Sequence, residues 1–261
     1  MTLLKHELRQ GKISLFLWTT VIALMLAVCI LIYPDMESQM SEISGMFSNM
    51  GGFSAAFGMD KLNFGEFLGF FGIECGNILG LGGSFFAALL GIQALAKEEK
   101  EGTAEFLLTH PVSRTQVLFQ KLSAVFLQLV LLNIVVIGVT AFSVSMIGEH
   151  PDWKTLSLLF FAYFCLQLEI AAVCFGVSAF IINGGPAVGL AIATLFYFLN
   201  IIANLTEGAR FLKYITPFSY TESSDIIMSG SIDGRYLTIG ISFALLGVAA
   251  AFFHYRNKDL F

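Results

Sequence analysis

Charge is what this sequence has least of. Lys, Arg, Asp and Glu make up 13% of its 261 residues, about half the share typical of soluble domains. With a mean hydropathy of +0.79, that composition belongs to a membrane protein rather than to a water-soluble domain. Positive charge is scarcer than negative, 14 Lys and Arg against 19 Asp and Glu. No basic stripe is left to neutralise phosphates, which excludes nucleic acid as a partner. Cysteine is also sparse: Cys29, Cys75, Cys165 and Cys174 all fall in apolar blocks and form no C-x-x-C pair. They read as small buried hydrophobes, not as a disulfide framework or a zinc site.

Catalytic motifs are missing as well. There is no H-E-x-x-H, and Gly82-Gly83-Ser84 fails G-x-S-x-G because Phe86 takes the last position. His6, His110, His150 and His254 lie far apart in sequence and near block edges. No G-x-x-x-x-G-K-[ST] is present, so the chain has no Gly-rich loop to cradle a nucleotide. We expect no catalytic residue, metal or cofactor on this chain, and energy from ATP would have to enter through another polypeptide.

What the sequence has is long apolar runs. Six are long enough to cross a bilayer, about 20 residues or more each: 13–33, 64–96, 115–147, 155–182, 187–205 and 236–255. The first is too long for a signal-peptide core and has no A-x-A cleavage pattern, so it reads as a retained helix. Residues 1–12 put Leu3, Leu4 and Leu8 on one helical face and Lys5, Arg9 and Lys12 on the other, the pattern of an interfacial helix. Asp35 to Asn63 reads as an acidic outer segment, and 206–235 is polar enough to read as outer interfacial helices. The expected fold is an all-α integral membrane protein, a single domain of six transmembrane helices. Lys5, Arg9, Lys12, Lys97, Lys100, Arg114, Lys121, Arg256 and Lys258 gather on one side, which places both termini in the cytoplasm by the positive-inside bias.

Several polar side chains fall inside these runs. Gly72, Gly76 and Gly80 recur every four residues, and Ser84 and Ala88 continue a row that a neighbouring helix can approach closely. At 100° per residue, Glu74 and Asn77 point away from that row. Asn133, Gln167, Glu169, Asn200 and Asn204 complete the intramembrane polar set. Glu74 and Glu169 admit two readings: carboxylates on a proton or cation pathway, or groups that are protonated or hydrogen-bonded to a neighbouring helix and fix packing. The first would suit a stand-alone proton-coupled transporter or channel. Asn200 and Asn204, one turn apart, read as helix–helix hydrogen-bonding residues.

The one charge-rich run is 97–114. Lys97, Glu98, Glu99, Lys100 and Glu101 extend the second span into water. Gly102 breaks that helix, Thr103 caps a new short one, and Glu105 favours its first turn. Phe106, Leu107 and Leu108 form an apolar ridge, Pro111 ends the element, and Ser113 and Arg114 start the next helix. Its acidic character disfavours the anionic inner leaflet, which leaves a cleft on a cytoplasmic protein as its seat.

Read as E-x-x-x-G-T-x-E-F-L-L-T-x-P-V-S-R, residues Glu98 to Arg114 resemble the loop between spans two and three of ABC-2 type permeases, the membrane subunits of bacterial ABC exporters. The cationic amphipathic start, the six spans, the Tyr214-to-Tyr220 stretch and the Arg256-to-Asp259 tail extend the resemblance over most of the chain. Ala104 and His110 depart from it, where a larger and a smaller or apolar residue are common. The resemblance implies a multi-pass protein of the bacterial cytoplasmic membrane whose 97–114 loop docks as a coupling helix on an ATPase subunit. ATP and Mg would be held by that subunit, present in two copies. A second permease, identical or paralogous, would complete the assembly. The implied cargo is hydrophobic or amphipathic: an antimicrobial peptide, antibiotic, toxin or lipid-like molecule.

Overall fold

A computed structural model describes residues 2–47, 52–56, 58–59, 61–63, 65–100, 113–181 and 185–257. Six long helices dominate it: α1 (Thr2–Phe47), α2 (67–100), α3 (Arg114–Ile147), α4 (Trp153–Ser178), α5 (Pro186–Leu205) and α6 (Gly234–Asn257). No strand occurs among the described residues. All six helices contain a stretch long and apolar enough to cross a membrane, one for each run expected from the sequence.

The helix ends follow local chemistry. Ser113 caps α3 by accepting from the Gln116 amide, and Gln116 reaches back to the Ser113 amide, a full capping box. Gly148 closes α3 at φ 76°, a conformation open to glycine without strain. Asp152 then caps α4, accepting from the Thr155 hydroxyl and from the Lys154 and Thr155 amides. Those bonds, the Thr155 hydroxyl foremost, hold its carboxyl below the usual range. Pro186 opens α5 at a position where its missing N–H costs nothing.

Three expectations are revised. First, 1–12 is not a separate element: α1 runs unbroken from Thr2 to Phe47 and through Pro34. Nothing between residues 2 and 33 lacks a backbone N–H, so the helix has no reason to stop at Lys12. Second, α2 is not a uniform α-helix, because π turns occupy Phe71–Cys75 and Ile78–Gly82. Third, 206–235 does not stay on the surface throughout: its two ends are exposed, but residues 216–224 turn into the bundle. After a 3-10 helix at Glu207–Tyr214, the chain dips inward; Pro217–Thr221 is buried throughout. A short helix, Ser223–Ser229, then returns it to the start of α6.

The centre of the bundle is α4. Some 67% of its most apolar stretch is buried, against 11% for α6 and 22% for α5. It packs chiefly on α2 and α6, while α1 packs along α3. At the end of the bundle that carries the N-terminus, Lys121 of α3 meets Glu7 of α1 at 2.8 Å, and the Arg114 guanidinium donates to the Tyr255 carbonyl of α6 at 3.1 Å. Elsewhere α1 presents a band from Ile13 through Phe16, Leu24 and Leu31 that remains exposed, suited to hydrocarbon or to another apolar surface.

Close helix contact depends on glycine. A methyl group on Gly176 of α4 would sit 2.6 Å from the Gly247 carbonyl of α6. Gly176→Ala therefore forces those helices apart and is expected to cost about 1–3 kcal/mol. Gly138→Ala, where no neighbour lies within 4 Å, should be neutral or stabilising; melting curves of the detergent-solubilised chain check both.

Candidate functional site

Polar side chains inside an apolar bundle need internal partners, and α4 projects three toward different neighbours. Gln167 accepts from the Asn133 amide of α3 at 2.7 Å and lies against Gly83 of α2. Glu169 accepts from the Tyr220 hydroxyl at 2.9 Å and packs on Gly240 of α6. The Tyr163 hydroxyl meets Ser223 Oγ at 2.8 Å. Tyr220 and Ser223 both belong to the inward-dipping segment, so that segment supplies two of the three partners. Glu169 is thus hydrogen-bonded, to a buried tyrosine rather than to another long helix.

Gly72, Gly76 and Gly80 do accept a close neighbour, but it is the dipping segment together with Tyr163. A methyl group on Gly72 would sit 2.9 Å from Ser223 Cβ, and one on Gly76 would sit 2.5 Å from the Tyr163 hydroxyl. Ser223 Oγ also donates to the Gly72 carbonyl at 2.7 Å. A foreign donor on a helix carbonyl accompanies the π turn there, as insertions into the i→i−4 ladder commonly do. The π turns alter the angular step, so Asn77 does not point away from the glycine row. It lines the same cavity as Gly72, Gly76 and Gly80. Glu74 is half-buried and stands outside that cavity.

Asn200 and Asn204 converge on Glu222, their amides donating to its Oε2 at 3.2 and 3.1 Å. Burial raises the Glu222 carboxyl above the usual range; the two amides and, through space, Lys213 oppose that rise, while Asp225 adds to it. Gly58 holds φ 67° where the chain passes this carboxylate, and a methyl group there would lie 3.2 Å from Glu222 Oε1. Glu222, Tyr163, Tyr197, Tyr220 and Ser223 were not singled out in the sequence. The available signal was the pair Asn200 and Asn204, two amides at a helix end that required an acceptor.

The docking residues are divided by the limits of the description. Gly102, Thr103, Glu105, Phe106, Leu107, Leu108 and Pro111, with Glu101, lie outside the described residues. Glu98 falls in the last turns of α2, and Arg114 is engaged with the end of α6. No cluster of three or more His, Cys, Asp or Glu side chains that could hold a metal occurs among the described residues.

Six helices apolar enough to cross a bilayer, packed around paired polar side chains, define a multi-pass membrane protein. The family model of the ABC-2 family transporter proteins matches residues 1–260, and the chain belongs to that family. It is 29% identical over 172 residues to the probable ABC transporter permease protein NosY of Stutzerimonas stutzeri. That alignment takes in 59% of this chain and 61% of the length of the relative.

If Tyr220 is what satisfies Glu169, Tyr220→Phe leaves a buried acceptor unpaired and should destabilise the chain by about 1–3 kcal/mol. A double-mutant cycle with Glu169→Leu, which removes the acceptor, read from thermal melts, should show coupling of about 0.5–3 kcal/mol. Simple additivity would contradict the pairing.

Proposed function

We propose that this chain is the transmembrane permease subunit of an ATP-binding cassette exporter. It couples ATP hydrolysis on a separate ATPase subunit to outward movement of a hydrophobic or amphipathic cargo, such as an antimicrobial peptide, antibiotic, toxin or lipid-like molecule. The observation that carries this reading is the family match along residues 1–260; the similarity to a probable ABC transporter permease supports it. The lack of a nucleotide-cradling loop in the sequence agrees with a division of labour between subunits.

In this reading both termini are cytoplasmic, because the Lys and Arg of residues 1–12, 97–121 and 256–258 fall on the same side when six spans are counted along the sequence. The 97–114 loop is then cytoplasmic and docks on the ATPase through the ridge of Phe106, Leu107 and Leu108, flanked by Glu98, Glu101, Gly102, Thr103, Glu105, Pro111 and Arg114. Two ATPase subunits, holding ATP and Mg, pair with two permeases, identical or paralogous. Movement of the loop reaches the bundle through the helices that bracket it, α2 and α3. The Glu7–Lys121 pair and the Arg114–Tyr255 bond tie the start of α3 to α1 and α6, so a pull on that start engages three helices together.

The double variant Phe106→Asp, Leu107→Asp tests the docking. It should abolish co-purification of the ATPase while the melting curve of the permease stays unchanged, since in this reading the ridge faces the ATPase and not the spans. Retained co-purification with undiminished ATPase stimulation would refute the coupling role.

A further inference from the structure

A cavity of about 60 Å³ lies between α2, α5 and the dipping segment, and the coupling described above does not use it. Asn77, Tyr163, Tyr197, Asn200, Phe218 and Glu222 line much of it. Around this space every hydroxyl donor is committed, and each asparagine amide commits one of its two N–H groups. The Asn77 amide donates to the Ile73 carbonyl, the Tyr197 hydroxyl to Asn77 Oδ1, and the Thr221 hydroxyl to the Phe218 carbonyl. Ser223 donates to Gly72, so the Tyr163 hydroxyl donates to Ser223. The Asn200 amide donates to Glu222.

Buried acceptors still remain without donors. Asn200 is only 8% exposed, and its Oδ1 has no partner among the described residues. A buried carbonyl in that state is costly and calls for a donor. Both asparagine amides take the same carboxylate oxygen, Glu222 Oε2, which leaves lone pairs on Oε1. Among the described residues, Glu222 is the single charged side chain in the lining. The rings of Tyr197 and Phe218 meet edge-to-face at 5.5 Å, and aromatic rings attract a cation at close range. One negative charge does not suit a divalent or transition metal, and no metal-holding cluster is found among the described residues. The complement of this wall carries one positive charge and several N–H donors, in the size of a head group.

We propose that the cavity binds the ammonium group of a primary amine, its charge facing Glu222 and its N–H groups donating to the carboxylate and to the Asn200 and Asn77 side-chain oxygens. A bound cation would also relieve the burial that disfavours an ionised Glu222. The ammonium can come from a free or cargo amine or from the ethanolamine head group of a phospholipid. The proposal goes beyond the permease reading and stands without the ATPase, since every residue it uses is on this chain.

Equilibrium dialysis of radiolabelled butylammonium against the full chain in maltoside micelles tests it. Binding should be saturable, with one site per chain, and butanol should not compete. Glu222→Gln keeps the shape of the side chain and a carbonyl for Asn200 and Asn204 to donate to, yet should weaken binding at least about tenfold. Asn77→Ala, at an exposed position, should weaken it several-fold and carries the test if Glu222→Gln unfolds. Displacement by phosphatidylethanolamine but not phosphatidylglycerol would identify a lipid head group as the ligand; no displacement by either would identify a free or cargo amine. Absence of saturable binding, or wild-type affinity in the soundly folded variants, would overturn the proposal.

Discussion

Hydrocarbon offers a polar side chain no hydrogen-bond partner, so a helix that carries such side chains must find them elsewhere in the protein. In this chain α4 bears that constraint. Tyr163, Gln167 and Glu169 lie on successive levels of the most buried helix, and each is hydrogen-bonded to a different residue: Ser223, Asn133 and Tyr220. The arrangement of the rest follows. Asn133 sets how α3 meets α4, and Gly240 lets α6 come up against the Glu169 carboxylate. The chain between α5 and α6 has to leave the surface to deliver Tyr220 and Ser223.

That inward dip explains the irregularity of α2. Three glycines four residues apart would suit a straight partner helix, but the element that arrives is the short 3-10 helix Pro217–Thr221 followed by the seven-residue helix Ser223–Ser229. Ser223 takes the Gly72 carbonyl, and the helix widens into π turns beside it. Widening brings Asn77 round to the cavity shared with Asn200 and Glu222. A polar cavity in a membrane bundle thus arises from the packing of α4 at one remove.

The end that carries the N-terminus is built differently. There the links use charged side chains: Glu7 pairs with Lys121, and Arg114 donates to a carbonyl in the last turns of α6. Lys121 is almost fully buried while Glu7 keeps some exposure. A pair of that kind fixes register between helices more than it adds stability. Under the permease reading, this end must transmit movement from the docking loop. Stiff ties across three helices suit that task, whereas the opposite end holds the space a ligand could enter.

Local chemistry made part of this legible from residue order. Apolar runs of sufficient length determine six crossing helices, because in a bilayer the backbone must satisfy itself. Ser113 with Gln116 marks the start of α3, Pro186 marks that of α5, and the loop signature of Glu98 to Arg114 carries the family. Those features are read over a few residues, and physics acts on them over the same distance. Tertiary structure decided what lies across long separations. That Tyr220 serves Glu169, that Glu222 gathers Asn200 and Asn204, and that the glycine row receives Ser223 are pairings of residues 18 to 151 positions apart. The composition of 206–235 marks it as too polar to span and too apolar to be free, which fits a surface helix as well as a buried hairpin. Only the unsatisfied carboxylate on α4 and the missing side chains on the α2 glycines select between them, and both become visible when the bundle is assembled.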